Sequence, residues 1–246
     1  MRKIFVIMAV LLLPVLHALA TTTNTPWQKA NALYTQKEYD SAAFYYEQAA
    51  ALQQQNATIY YNLGNVYYRL NNIPNAVLYY EKALRIKPDY KEAKDNLLIT
   101  QSRIKNRIQP TPDIFFVVWW HTLTAGSMSA TWAIVSLLLF LLIIVLLIVK
   151  RLYKNIPVQL TGILSFIWVV FLFIAFTSAN NSTTHNSAVV MQNDAPLMNN
   201  QQKGKPLGLV PEGTTVTVKE EHTGWTEVQL PDGRVGWVQQ DVLNKI

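Results

Sequence analysis

Residues Asn62–Pro88 read NLGNVYYRLNNIPNAVLYYEKALRIKP, and this stretch decides the fold of the N-terminal part. Small residues stand at Gly64, Ala76 and Ala83, with large aromatic ones between them. Gly64 and Ala76 let two antiparallel helices approach closely, Tyr67 and Tyr80 fill the space beside them, and Ala83 lets a further helix pack down. Asn72 and Pro74 suit the cap and first turn of the second helix. Pro88 stops it.

Counted from Ala57, the residues Tyr60, Leu63, Gly64, Tyr67, Ala76, Tyr80, Ala83 and Pro88 occupy every signature position of a 34-residue tetratricopeptide repeat, which this stretch resembles. One period earlier stand Ala30, Ala42, Tyr46 and Ala49, with Glu38-Tyr39-Asp40 at the turn. This is a weaker repeat, without the early aromatic and leucine. One period later only Leu97 matches, so Asp89–Ile108 is expected as a single closing helix, and residues 21–108 as an all-α repeat domain. Trp27, Asn31, Tyr34, Tyr61, Asn65 and Tyr68 hold the first-helix positions that line the concave side in that family. The resemblance implies a groove there for a peptide or an extended partner segment, whereas the alternative at each position is core packing. Asn31 and Asn62 also resemble the asparagines of the subset that clamps C-terminal carboxylates. The basic positions of that clamp fall on Trp27, Glu92 and Asn96, which excludes it.

The chain begins with Arg2 and Lys3, an apolar run from Ile4 to Leu16, and Ala18-Leu19-Ala20. This is the pattern of a secretory signal peptide over residues 1–20, with cleavage expected after Ala20; an uncleaved anchor is the alternative. Residues 131–149 and 157–176 are uncharged and long enough, at about 1.5 Å per residue, to cross roughly 30 Å of hydrocarbon. Both are expected as transmembrane helices. The loop between them, residues 150–156, carries Lys150, Arg151 and Lys154, whereas residues 113–130 and 177–202 carry no lysine or arginine. The positive-inside bias therefore puts the loop in the cytoplasm and both flanks outside it. Residues 109–130, with IFFVVWW at Ile114–Trp120, are expected as an interfacial segment, a buried helix being the alternative. Residues 177–187 read as a linker.

Residues 188–246 change in kind. Short β-branched runs are punctuated by turns, Thr214–Lys219 and Trp225–Leu230 alternate inward and outward, and Pro231-Asp232-Gly233 forms a turn in which glycine supplies positive φ. The set EGT, GW, DGR and GWV resembles a bacterial SH3-like domain, with Gly224-Trp225 and Gly236-Trp237 as its most specific residues. The resemblance implies an all-β barrel whose strands turn sharply at these glycines and whose tryptophans cover it. It also implies a binding surface for peptidoglycan stems or proline-rich peptides, or for protein interaction alone, carried here by Trp225, Arg234 and Trp237; core packing is the alternative at Trp237, and Trp225 is expected to be buried.

Cysteine is absent, which excludes disulfides, thiolate metal sites and thiol nucleophiles. The net charge of +6 gathers largely beside the apolar runs, at Arg103, Lys105 and Arg107 and in the loop, and describes no nucleic-acid footprint. His17, His121, His185 and His222 show no metal-ligand spacing, and no nucleophile elbow or phosphate loop occurs. Glu220 and Glu221 are adjacent on a strand or turn and read as solvated surface. No catalytic residue, metal or cofactor is expected.

The order of signal peptide, tetratricopeptide repeats, two spans and SH3-like domain resembles the BatE-type proteins of the Bacteroides aerotolerance operons. That resemblance implies a scaffold of the bacterial inner membrane with periplasmic N- and C-terminal domains. It would work beside von Willebrand A-type membrane proteins and a MoxR-type ATPase in oxidative or envelope stress. A peptidoglycan-binding or envelope-sensing module is the alternative. The charge asymmetry is testable: reporters placed after Ile246 or near Asn56 should be active only outside the cytoplasm, and one at Asn155 only inside it. A cytoplasmic signal after Ile246 would overturn the arrangement.

Overall fold

The computed structural model describes residues 25–112, 114–153, 157–183, 186–200 and 206–246. The expected signal peptide and the end of the basic loop lie outside the described residues. The chain divides into two compact units between Arg103 and Ile104.

The first unit is five helices: α1 (Pro26–Thr35), α2 (Tyr39–Leu52), α3 (Ala57–Arg69), α4 (Ile73–Ile86) and α5 (Lys91–Ser102). Their starts follow from local chemistry. Thr25 caps α1 through a reciprocal capping box with Gln28. The Asn56 side chain accepts from the amides of Thr58 and Ile59, and that of Asn72 from Asn75, with proline in the first turn as expected. Lys37 and Asn71, one repeat apart, leave their helices with φ of 64° and 57°, the left-handed exit that closes helix C-termini. The core is Ala30, Ala42, Tyr46, Ile59, Leu63 and Val66 with their neighbours. The expected helix Asp89–Ile108 stops at Ser102 instead. Asn106 takes a φ of 56°, and Ile108 packs against the core of the C-terminal sheet. Its apolar side chain is therefore used outside the repeat unit.

In the second unit, α6 (Phe115–Leu123) precedes two long helices, α7 (Ser129–Tyr153) and α8 (Val158–Thr183). Ser129–Leu152 and Gln159–Asn180 are long and apolar enough to cross a membrane. They pack through Trp132 on Phe171 and Phe140 on Trp168, at centroid separations of 5.7 and 5.3 Å. The polar tail expected from Thr177 is helical to Thr183. Ser178 uses its hydroxyl to donate to the Ala125 carbonyl at 2.6 Å.

Seven strands follow: β1 (Ser187–Val190), β2 (Ala195–Met198), β3 (Pro206–Val210), β4 (Thr215–His222), β5 (Trp225–Gln229), β6 (Val235–Gln239) and β7 (Leu243–Lys245). They form one antiparallel sheet in the order β3-β2-β6-β5-β4-β1-β7. The expected barrel is not closed. Strands β3 and β7 are its edges, and β2 meets β6 at the single pair Met198 and Trp237. The tryptophans also differ from expectation. Thr226, Val228 and Val238 point into the core, so their neighbours Trp225 and Trp237 take the opposite parity and stand half-buried on the outer face. Gly224 supplies the expected turn with a φ of 80°, and Gly233 one of 86°. Gly236 is no turn residue: it lies inside β6, where a Cβ would come within 2.8 Å of Leu197 and the Met198 carbonyl.

Two glycines make the packing testable. A Cβ at Gly64 would lie 2.5 Å from the Tyr80 ring, whereas one at Gly162 meets nothing within 4 Å. Gly64→Ala should cost about 1–3 kcal/mol by overpacking. Gly162→Ala should stay within about 0.5 kcal/mol of the parent. Thermal melting in detergent checks both.

Candidate functional site

The concave side of the helical unit is built on a buried tyrosine hydroxyl in each repeat. Tyr46 and Tyr80 are 2 % and 1 % exposed, and a buried hydroxyl needs partners. Tyr46 donates to the Asn31 side-chain oxygen at 2.5 Å and is hydrogen-bonded to the Asn62 side chain. Tyr80 donates to the Asn65 oxygen at 2.7 Å and is hydrogen-bonded to Asn96. The Asn96 amide also donates to the Asn65 oxygen at 2.9 Å. Each of the three positions recurs at the repeat period, so Asn31, Tyr46 and Asn62 are replayed by Asn65, Tyr80 and Asn96.

The six expected groove residues separate into two groups. Tyr34, Asn65 and Tyr68 line one cavity of about 150 Å³, together with Arg69, Tyr80, Asn96 and Ile99. Trp27, Asn31 and Tyr61 do not line it. Trp27 packs edge-on against Tyr46 at 5.6 Å, Asn31 holds the Tyr46 hydroxyl, and Tyr61 lies between Tyr80 and Tyr90 at 6.1 and 5.0 Å.

Sequence reasoning missed Arg69, Asn96 and Ile99. Asn96 had a signal, the same spacing from Asn62 that separates Asn31 from Asn65. The arginines had none. Arg69 is hydrogen-bonded to Tyr34, and the Arg103 guanidinium lies 4.4 Å over the Tyr68 ring. Among the described residues neither forms an ion pair with a carboxylate. The cavity is thus aromatic in its walls and cationic at its rim. Its volume is well below the roughly 300–1,000 Å³ of cofactor and drug-sized sites, and suits one side chain of a partner segment.

Away from this cavity, the Glu47 carboxylate accepts from Tyr67 and Tyr79 at 2.5 and 3.3 Å. Tyr79 stacks on Tyr67 at 5.3 Å and on Tyr60 at 6.2 Å. This cluster ties the second helix of the first repeat to the second repeat. On the sheet, Arg234 is bound to Asp232 at 2.7 Å. It lies beyond the Gln229 and Val235 pair, at the opposite end of β5 and β6 from Trp225 and Gln239. Arg234 is thus separated from Trp225 by the length of these strands, while Trp237 stands between them, opposite Glu227.

Residues 28–91 match the tetratricopeptide repeat family model, and residues 199–244 match that of the bacterial SH3 domain. Both modules are present in this chain. No curated protein matches it. Among solved structures, the first TPR of Spaghetti (RPAP3) bound to the HSP90 peptide SRMEEVD is 25% identical, over 31% of this chain and 61% of that one, with a TM-score of 0.31. The chain thus spans less than two thirds of that structure's length.

The tyrosine network gives a pH signature. Burial raises the Tyr46 hydroxyl to about 12; its bond to Asn62 opposes the shift and Tyr34 adds to it. Tyr80 is raised chiefly by burial as well. A raised folded-state pKa means the folded unit keeps protons that the unfolded chain releases from about pH 10. The contribution is complete below about pH 10 and is lost as pH climbs through 12. The melting temperature of the helical unit should therefore fall steeply over that window, and Tyr46→Phe with Tyr80→Phe should flatten the fall. Asn65→Ala, which leaves the Tyr80 hydroxyl without its acceptor, should cost about 1–3 kcal/mol at neutral pH.

Proposed function

We propose that this chain is a membrane-anchored protein-interaction scaffold, and that the cavity lined by Tyr34, Asn65, Tyr68 and Arg69 is where it grips a partner. That cavity is the observation that carries the reading. It is pre-formed by the asparagine and tyrosine network, walled by aromatic rings that serve as anchors in protein interfaces, and too small for a cofactor. The scaffold is read as non-catalytic, in keeping with the usual role of tetratricopeptide modules.

The finer reading is a BatE-type component of a Bat/MoxR envelope or oxidative-stress complex. In it, the signal peptide exports the repeats, α7 and α8 span the inner membrane, and both soluble modules work in the periplasm. The partners are von Willebrand A-type membrane proteins of the same operon. The resemblance in module order and the placement of lysine and arginine around the two apolar helices support this reading. The bacterial SH3 domain keeps the alternative in view, a module that holds peptidoglycan.

The test captures a co-expressed von Willebrand A-type membrane protein on the full chain in detergent, beside sedimentation with purified peptidoglycan. Tyr68→Ala with Arg69→Ala should weaken capture by about tenfold or more, the scale of an interface hot spot, without lowering the melting temperature of the SH3 module. Capture that survives both substitutions removes the groove from the function. Sedimentation with peptidoglycan and no capture installs the alternative.

A further inference from the structure

The turn between β5 and β6 is braced by its own residues. The Leu230 amide donates to the Arg234 carbonyl at 2.9 Å and the Gly233 amide to the Leu230 carbonyl at 3.0 Å, with Gly233 at a φ of 86°. The Asp232 carboxylate accepts from the Arg234 backbone amide at 3.1 Å and from its guanidinium at 2.7 Å. The Pro231 carbonyl takes no part in these bonds. It accepts from the backbone amide of Thr111 at 3.2 Å.

Thr111 stands in the run Gln109-Pro110-Thr111-Pro112. Proline has no N–H, so Thr111 is the one backbone donor from Pro110 to Pro112. Gln109 and Thr111 each precede a proline and are biased to extended backbone, so the segment loses little freedom when it docks. Just before it, Ile108 packs against the core of the sheet, and Ile104 is buried. The chain from Ile104 onward belongs to the unit that contains the sheet, although both long helices separate it from β1 in sequence.

The C-terminal sheet therefore has two attachments. One is the covalent link from Thr183, the end of α8, to Ser187, the start of β1. The other is the docked segment, which leads from Thr111 to the start of α6 at Phe115. Because Ser178 near the end of α8 donates to Ala125 just after α6, both attachments arise at the same end of the helix pair. They differ in permanence. The covalent link cannot part, whereas Ile108 is only partly buried on a core whose Val190, Leu197 and Val210 are fully buried. A segment with few buried apolar contacts opens at far lower cost than the core it rests on.

We propose that Ile108–Thr111 is a releasable strap. Seated on the sheet core and the Pro231 carbonyl, it holds the C-terminal module at two points; released, it leaves the module to pivot on the link at 183–187 alone. The inference uses contacts within the second unit and stands apart from the groove and from whatever the module binds.

Lys105 and Arg107 place trypsin sites beside the strap, so its release can be read by limited digestion of the full chain in detergent. Hydrogen exchange is followed over Ile108–Pro112, where only Ile108, Gln109 and Thr111 have amides. Exchange there should be slower than in an unstructured peptide and faster than in β5, the mark of a strap that opens while the sheet stays folded. Thr111→Pro, which removes the donor, should speed cleavage after Arg107 by about fivefold, the scale of one hydrogen bond. Thr111→Ala, which keeps the donor, should leave the rate unchanged. The melting transition of the sheet should persist in both variants, which separates release from unfolding. Exchange at the rate of an unstructured peptide means that nothing is docked, and exchange as slow as in β5 means a fixed part of the fold. Either result overturns the inference, as does equal cleavage of the two variants.

Discussion

A buried tyrosine hydroxyl between two helices is the constraint on which the helical unit depends. Tyr46 and Tyr80 are each almost wholly buried, and a hydroxyl in that position costs stability unless it finds both an acceptor and a donor. Asparagine supplies either, because its side chain carries an oxygen and an amide at one end. The Asn65 oxygen is an acceptor and the Asn96 amide a donor. The tyrosine must then reach across its own helix pair, which fixes the interhelical distance. Gly64 satisfies that distance: a Cβ there would lie 2.5 Å from the Tyr80 ring, so a larger residue must displace the ring that carries the hydroxyl to Asn65. The glycine, the tyrosine and the two asparagines are one device.

The same device explains how a short array ends. Helical repeats cannot bury their apolar faces alone, and terminal units must close the stack. Here α5 contributes Asn96 to the network of the preceding repeat and buries Ala93 and Leu97, then stops at Ser102 without a partner helix of its own. It is half a repeat, kept where its contacts complete Tyr80. The groove's far wall is therefore the closing helix itself, since Asn96 and Ile99 line the cavity with Tyr34 and Tyr68 from the repeats.

What the sequence showed and what it hid follow one physical division. Spacing rules carry through to packing wherever side chains meet at a fixed period, so Gly64, Ala76, Tyr80 and the cap at Asn72 were legible, whereas the cap at Asn56 was not read. Two apolar runs were legible from length alone. The helix after Pro88 was read as running to Ile108, because nothing local to Arg103 marks the change: Ile108 leaves the helix for an apolar contact with the sheet, far away in sequence. The outer placement of Trp225 and Trp237 was legible in principle. Once Val228 and Val238 face the core, strand parity decides the neighbours, yet the bulk of tryptophan suggested burial. Closure of the sheet depends on how its edges meet, which alternation does not encode. The cationic rim of the groove was hidden because neither arginine occupies a signature position: Arg69 is held by a hydrogen bond to Tyr34 and Arg103 by lying over the Tyr68 ring.

The charge of the groove is supported by the tyrosines around it. The Arg103 guanidinium lies 4.4 Å over the Tyr68 ring, whose face stabilises the cation, and Arg69 is hydrogen-bonded to Tyr34. Both cations are thus placed by tyrosines in the free chain rather than by carboxylates. An anionic group entering the cavity therefore meets charge already held in place, and its binding needs no ion pair to be broken first.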